Sequence, residues 1–157
     1  MKSVSLLLFS LLSAGLLLTG CTTPPRVSGV TVTLVGFRPD ETSTVPTHAI
    51  MTLKFTSENV NAVGITSTTH ELYLGKRYAG KAENLSPVGL PPMGTITQDV
   101  TFNLEEPGVV RQILSVTNEP PYRLETTLFY TEDDSKRRLK VTSEGKVALI
   151  GLEQAAR

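Results

Sequence analysis

From Val30 onward, apolar and polar residues alternate with a period of two. Val30, Val32 and Leu34 interleave with Thr31, Thr33 and Val35, and Met51, Leu53 and Phe55 interleave with Thr52, Lys54 and Thr56. Successive side chains of a strand point to opposite faces, so this rhythm predicts half-buried strands. The same rhythm predicts a hairpin of 65–74 and 77–85 around Gly75, then strands over 96–104 and 122–130, and two short strands over 139–142 and 146–150. Pro39-Asp40 reads as a turn, and the polar stretch 57–62 as a loop. Residues 86–94 carry too much Pro and Gly for a central strand. Residues 132–136 open with three acids and read as a turn. One segment changes period. After Pro107, which suits a first helical turn, Val109, Val110, Ile113 and Leu114 share a helical face until Asn118 and Pro120-Pro121 stop it. Short strands at regular spacing with turn signals between them give an all-β expectation: a fibronectin type III-like or immunoglobulin-like antiparallel β-sandwich of about seven strands with one short helix.

The first 21 residues break this pattern. Lys2 is followed by an apolar stretch of 15 residues, Val4 to Leu18, interrupted only by Ser5, Ser10 and Ser13. That is signal-peptide anatomy, and it is short of the roughly 20 apolar residues that a permanent span requires. The ending Leu18-Thr19-Gly20-Cys21 resembles the lipobox of bacterial lipoproteins. The resemblance implies a diacylglyceryl group on the Cys21 thiol, cleavage before that residue and acylation of the new amine. A thiol is the side chain nucleophilic enough near neutral pH for the first step. Cys21 is the single cysteine, so no disulfide or thiolate metal cluster competes for it. Cleavage removes 20 of the 157 residues and leaves 137, one domain's worth. The chain divides into a signal peptide (1–20), a lipidated tether (21–29), a β-sandwich domain (30–152) and a loose C-terminal end (153–157). Thr22 and Thr23, with no Asp after the Cys, resemble the pattern sorted to the outer membrane. The expected location is therefore the cell envelope, lipid-anchored on the periplasmic face of the outer membrane.

Charge and composition narrow the chemistry. Fifteen Lys and Arg balance fifteen Asp and Glu, which gives no basic excess for nucleic acid. Trp is absent, which removes the strongest aromatic platform for a sugar. The run from Gly75 to Ala82 approaches a phosphate-binding loop but has Ala82 where Ser or Thr must hold magnesium, so it reads as a hairpin with exposed basic residues. His48 and His70 have no metal-ligand spacing, and His70 reads as exposed or half-buried. No nucleophile elbow is present. Glu105-Glu106 suits the positive end of the following helix, and Glu132-Asp133-Asp134 a solvated turn. Asn84-Leu85-Ser86 has the form of an idle glycosylation sequon. No catalytic residue, cofactor or metal ion is expected.

Several motifs carry a family resemblance. Asn59-Val60-Asn61 after the strand ending near Phe55, Leu72-Tyr73-Leu74-Gly75, Leu90-Pro91-Pro92-Met93-Gly94 and Tyr122-Arg123-Leu124-Glu125 fall in an order that resembles the late embryogenesis abundant type 2 family, which includes the water stress and hypersensitive response domain. The resemblance runs from about Val27 to Leu152. Val60 stands where that family has Pro, and no Asn precedes Gly75. It implies a β-sandwich with an added helix, no active site, a link to protection during desiccation and, for bacterial members, frequent export as lipoproteins. The functional expectation is a non-enzymatic envelope protein with a stress-protective or macromolecule-binding role. Its partners would be a membrane, through the lipid, and client proteins, through pairing at sheet edges. A scaffold lipoprotein with one dedicated partner is the alternative, and an envelope hydrolase or sugar binder the third. Mass spectrometry of the protein from its native envelope is expected to find a chain that begins at an acylated Cys21. Retention of residues 1–20 with no acyl group would refute it.

Overall fold

The computed structural model describes residues 27–43 and 47–149. These residues form eight strands and one helix: β1 (Val30–Pro39), β2 (His48–Ser57), β3 (Val63–Leu74), β4 (Arg77–Asn84), β5 (Val88–Leu90), β6 (Thr95–Leu104), α1 (Pro107–Leu114), β7 (Pro121–Glu132) and β8 (Ser135–Lys146). The strands form one antiparallel sheet of order β1-β2-β6-β4-β3-β7-β8, with β5 paired to β3 beside β4. The all-β expectation with one short helix holds. Among the described residues no helix is long and apolar enough to cross a membrane.

The sheet curls because its two halves meet over a short span. Along β1-β2-β6 and along β3-β7-β8 the ladders are long, but β4 joins β6 by only three residue pairs, Gly80↔Leu104, Lys81↔Asn103 and Ala82↔Phe102. At this corner the register of β3 and β4 shifts by one around Ala79. The carbonyl of Ala79 then accepts from the amides of Glu105 and Glu106, which lead into α1. Gly80, at φ +153°, lies so close to β6 that a Cβ would sit 2.1 Å from the Asn103 carbonyl oxygen. Such a bulge sharpens the local twist and turns the sheet. The inward faces of the two halves then pack on each other, with Met51, Leu53, Phe55 and Phe102 from one side meeting Ile65, Leu72, Leu74, Leu124 and Leu128 from the other.

The far edges also meet. Phe37 of β1 bridges Leu149 in parallel, and the Tyr122 hydroxyl of β7 accepts a hydrogen bond of 3.2 Å from the Leu34 amide of β1. Residues 139–146 belong to one strand where the sequence suggests a break after 142. β8 runs unbroken to Lys146, against the expectation that 139–142 and 146–150 are separate strands. Gly145 is not a turn residue. It pairs with Tyr122, and its missing Cβ leaves room for the Tyr122 ring, 3.0 Å from where that carbon would be. Residues 86–94 hold no central strand, as expected, but a three-residue edge strand, β5. The helix closes at Leu114, one turn early, where Ser115 donates its hydroxyl to the Gln112 carbonyl.

Gly80→Ala should destabilise the protein by about 3 kcal/mol or more, because a backbone oxygen cannot yield as a side chain does. Gly89→Ala, with nothing within 4 Å of the added carbon, should leave the urea midpoint within experimental error.

Candidate functional site

Leu18, Thr19, Gly20 and Cys21 lie outside the described residues. The other sequence candidates fall into the structure as follows. The run from Gly75 to Ala82 is a tight turn followed by β4, not a loop leading into a helix. Gly75 and Lys76 both take positive φ, 54° and 70°, the two-residue hairpin turn whose twist matches the flanking strands. Ala82 is buried between His70 and Phe102, its partners on β3 and β6. The segment is a structural hairpin. His48 is half-buried with its Nδ1 2.8 Å from the Ser43 hydroxyl. Glu105 lies 3.9 Å from Lys81, and Glu132 3.8 Å from Arg137. Asn84 accepts from the Ser86 amide, closing its own turn. Among the described residues no group of three or more His, Cys, Asp or Glu is gathered for a metal ion.

His70 departs most from expectation. It is fully buried, not exposed or half-buried. Its Nε2 is 2.8 Å from the Thr68 hydroxyl and its Nδ1 2.9 Å from the Thr126 hydroxyl, and both threonines are themselves fully buried. Thr68 precedes it by two on β3, and Thr126 faces it across the β3–β7 ladder. Phe55 closes the site edge-on at 6.3 Å. A neutral imidazole donates from one nitrogen and accepts at the other, and a hydroxyl can answer either role. Burial without a carboxylate partner pushes the His70 pKa down to about 4. Both ring nitrogens are committed to threonines, so the ring has neither an orienting acid nor a path to substrate.

The outer face of β4-β3-β7-β8 carries the most organised surface. Tyr78 of β4 and Tyr73 of β3 are cross-strand partners, their rings edge-on at 5.6 Å. Arg123 of β7, opposite Tyr73 on the other side, lays its guanidinium 4.3 Å from the Tyr73 ring centroid. Glu125, two residues on, takes Arg123 at 2.9 Å and Lys140 of β8 at 2.6 Å. The Lys140 hydrogen bond holds the Glu125 carboxyl below its ordinary value, and Glu125 in turn raises the Lys140 pKa. Burial, and after it the Glu105 carboxylate, push the Tyr78 hydroxyl up to about 12. The ladder therefore carries fixed charge at neutral pH and has no group poised to exchange a proton. It clamps the edge strand β8 to the sheet. Alternation alone left it hidden, since it requires the register of four strands; the shared outward parity of Tyr73, Arg123, Glu125 and Lys140 was the signal available.

Among the described residues, one stretch of sheet edge is open. Thr95 to Thr101 of β6 pair with β2 on one side, whereas β4 reaches only residues 102–104 on the other. Ile96 and Gln98, on the inward face of this stretch, are only half-buried.

No family model matches the sequence, and no curated protein matches it. Among solved structures, the chain is similar to AT1g01470 from Arabidopsis thaliana, 14% identical over 76% of this chain and 78% of that one, with a TM-score of 0.52. It is also similar to a candidate late embryogenesis abundant (LEA) protein, At2g46140.1, at 14% identity, 96% and 88% coverage and a TM-score of 0.47. A protein from Archaeoglobus fulgidus matches at 9% identity, 77% and 95% coverage and a TM-score of 0.47. At such identity the first likeness bears on the fold alone, and the two below 0.5 have no weight.

The burial of His70 sets a pH dependence. A histidine whose folded pKa lies near 4, against 6.5 when unfolded, favours the unfolded chain as protons become available. Stability should be full above pH 6.5 and fall by about 1.4 kcal/mol per unit down to pH 4, for a total of about 3 kcal/mol. Urea titrations at several pH values should show this slope, and His70→Asn should flatten it. The carboxylate of Glu125, lowered in the fold, gives up its contribution only at lower pH.

Proposed function

We propose that this chain is a lipid-anchored, non-enzymatic protein of the bacterial cell envelope that binds extended segments of other macromolecules and protects them during water loss. The anchor rests on Leu18-Thr19-Gly20-Cys21 and the apolar stretch before it. The protective reading rests on the resemblance of the turn motifs to the late embryogenesis abundant type 2 family. The non-enzymatic reading rests on the buried His70, both of whose nitrogens are spent on threonines, and on the ion pairs of the outer face, which serve the sheet.

The observation that carries the binding mode is the open edge at Thr95 to Thr101. A strand edge offers backbone donors and acceptors at a fixed repeat, and an extended chain can add to it with little dependence on its sequence. Proteins that avoid such pairing place charge, proline or bulges on their edges. Here the stretch is Thr-Ile-Thr-Gln-Asp-Val-Thr, β-branched at five of seven positions, with Asp99 its single charge. Asp99 is itself occupied, by Arg38 at 3.0 Å and by the Thr52 hydroxyl at 2.5 Å. Sequence-tolerant pairing suits a protector of many clients.

The purified domain, at equimolar amounts, should preserve the activity of a test enzyme through drying better than albumin does. Gln98→Lys puts a charge on the inward side of the open edge while leaving its β2 partner, Leu53, in place. That variant should fold and should fall to the level of albumin. Equal protection by the variant would rule out the edge as the binding surface, and no protection by the parent would rule out the function.

A further inference from the structure

The chain enters the fold at one end, and the length of the preceding segment restricts what that end can face. Val27 packs partly buried against the core, beside Ala62, Val63, Tyr130 and Asp133. The Gly29 carbonyl accepts from the Glu58 amide at 2.8 Å. The neighbouring loops are tied to the same place. The Met93 amide donates to the Asn59 carbonyl at 2.9 Å, and the Ser57 amide to the Gly94 carbonyl at 2.8 Å. The loop after β2 and the loop after β5 thus stand side by side where the chain enters.

These two loops present apolar surface, and the exposed Glu58, at the start of the first, is their single charge. Residues 59–62 are Asn-Val-Asn-Ala and residues 91–94 are Pro-Pro-Met-Gly. Val60 is 78% exposed and Met93 68% exposed, and Pro91 and Pro92 are exposed beside them. The third loop at this end, between β7 and β8, is acidic at Asp133 and Asp134, but Lys136, Arg137 and Arg138 follow it at once. The charges there nearly cancel.

We infer that this end of the protein rests on the lipid surface that holds Cys21, with Val60 and Met93 dipping into the boundary between headgroups and acyl chains. The inference rests on the lipid-anchored reading and goes beyond it in fixing the orientation of the domain. Six peptide units separate Cys21 from Val27, and at roughly 3.3–3.6 Å each they reach at most about 22 Å. An acylated Cys21 therefore keeps this end near the bilayer whatever path the tether takes. The opposite end, at Pro121, stands about 35 Å away, the length of the twelve-residue β7. A lipid chain alone holds a protein weakly, and a second apolar contact strengthens the hold. With little net charge at this end, the contact depends on apolar insertion and resists salt. The open edge of β6 stands at the side of the domain, free for clients.

The test places a fluorophore on Met93→Cys or, as the control, on Glu119→Cys, in the lipidated protein reconstituted in vesicles of phosphatidylethanolamine and phosphatidylglycerol. Cys21 carries lipid, so each variant has one reactive thiol. Acyl-brominated lipids should lower emission at position 93 by about twofold, at low and at high salt, and leave position 119 unchanged. Equal emission with and without bromine at position 93, in protein shown by mass spectrometry to be acylated and vesicle-bound, overturns the orientation and spares the anchor. A free Cys21 thiol with no vesicle binding overturns both.

Discussion

The contact of the Gly80 backbone with the Asn103 carbonyl governs the shape of this protein. An extended sheet of eight strands would leave one face of each strand in water. Here the sheet turns at the one place where β4 passes from β3 to β6, and two apolar faces close on each other. A side chain at that place would hold the strands apart, since its first carbon would lie inside the radius of the opposing oxygen. Leu53, Phe55, Phe102 and Leu124 owe their burial to that turn. Burying a large apolar side chain contributes about 1.5–3 kcal/mol, so a corner that aligns more than twenty of them outweighs any surface ion pair.

The interior so formed is not wholly apolar. Thr68, His70 and Thr126 occupy three inward positions on two adjacent strands, and each satisfies another. A lone buried imidazole would cost several kcal/mol, whereas a paired one costs little. The pairing also fixes register. A slip of β7 against β3 by two residues would keep apolar faces inward but separate Thr126 from His70. The outer ladder of Tyr73, Arg123, Glu125 and Lys140 enforces the same alignment from the other face of the same strands.

Alternation made most of the strands legible, because water on one face and core on the other writes period two into the chain. Tyr122, Leu124, Leu128 and Tyr130 share one parity along β7, and all four are buried. The failures share one cause, a residue whose role is set by a distant partner. The expected gap after 142 is instead continuous strand, and Gly145 within it accommodates the ring of Tyr122. His70 looked like surface because nothing near it in sequence announces Thr126. The polar ladder and the open edge of β6 depend on pairings between strands far apart in the chain, and periodicity carries no information about pairing. The proposal for Cys21 rests on a linear string of residues instead, and it lies outside the described residues.

The seam that joins Phe37 to Leu149 has a consequence for how the molecule comes into being. The first strand meets the last described segment, so a chain that emerges from its N-terminus cannot finish its wall until the segment at Leu149 has left the ribosome. Non-local closure of this kind is slow, because the loop entropy is lost before the contact forms. Under the export proposed above, in which the chain threads a secretion channel unfolded, late closure is an advantage: the molecule stays passable until that segment has been made.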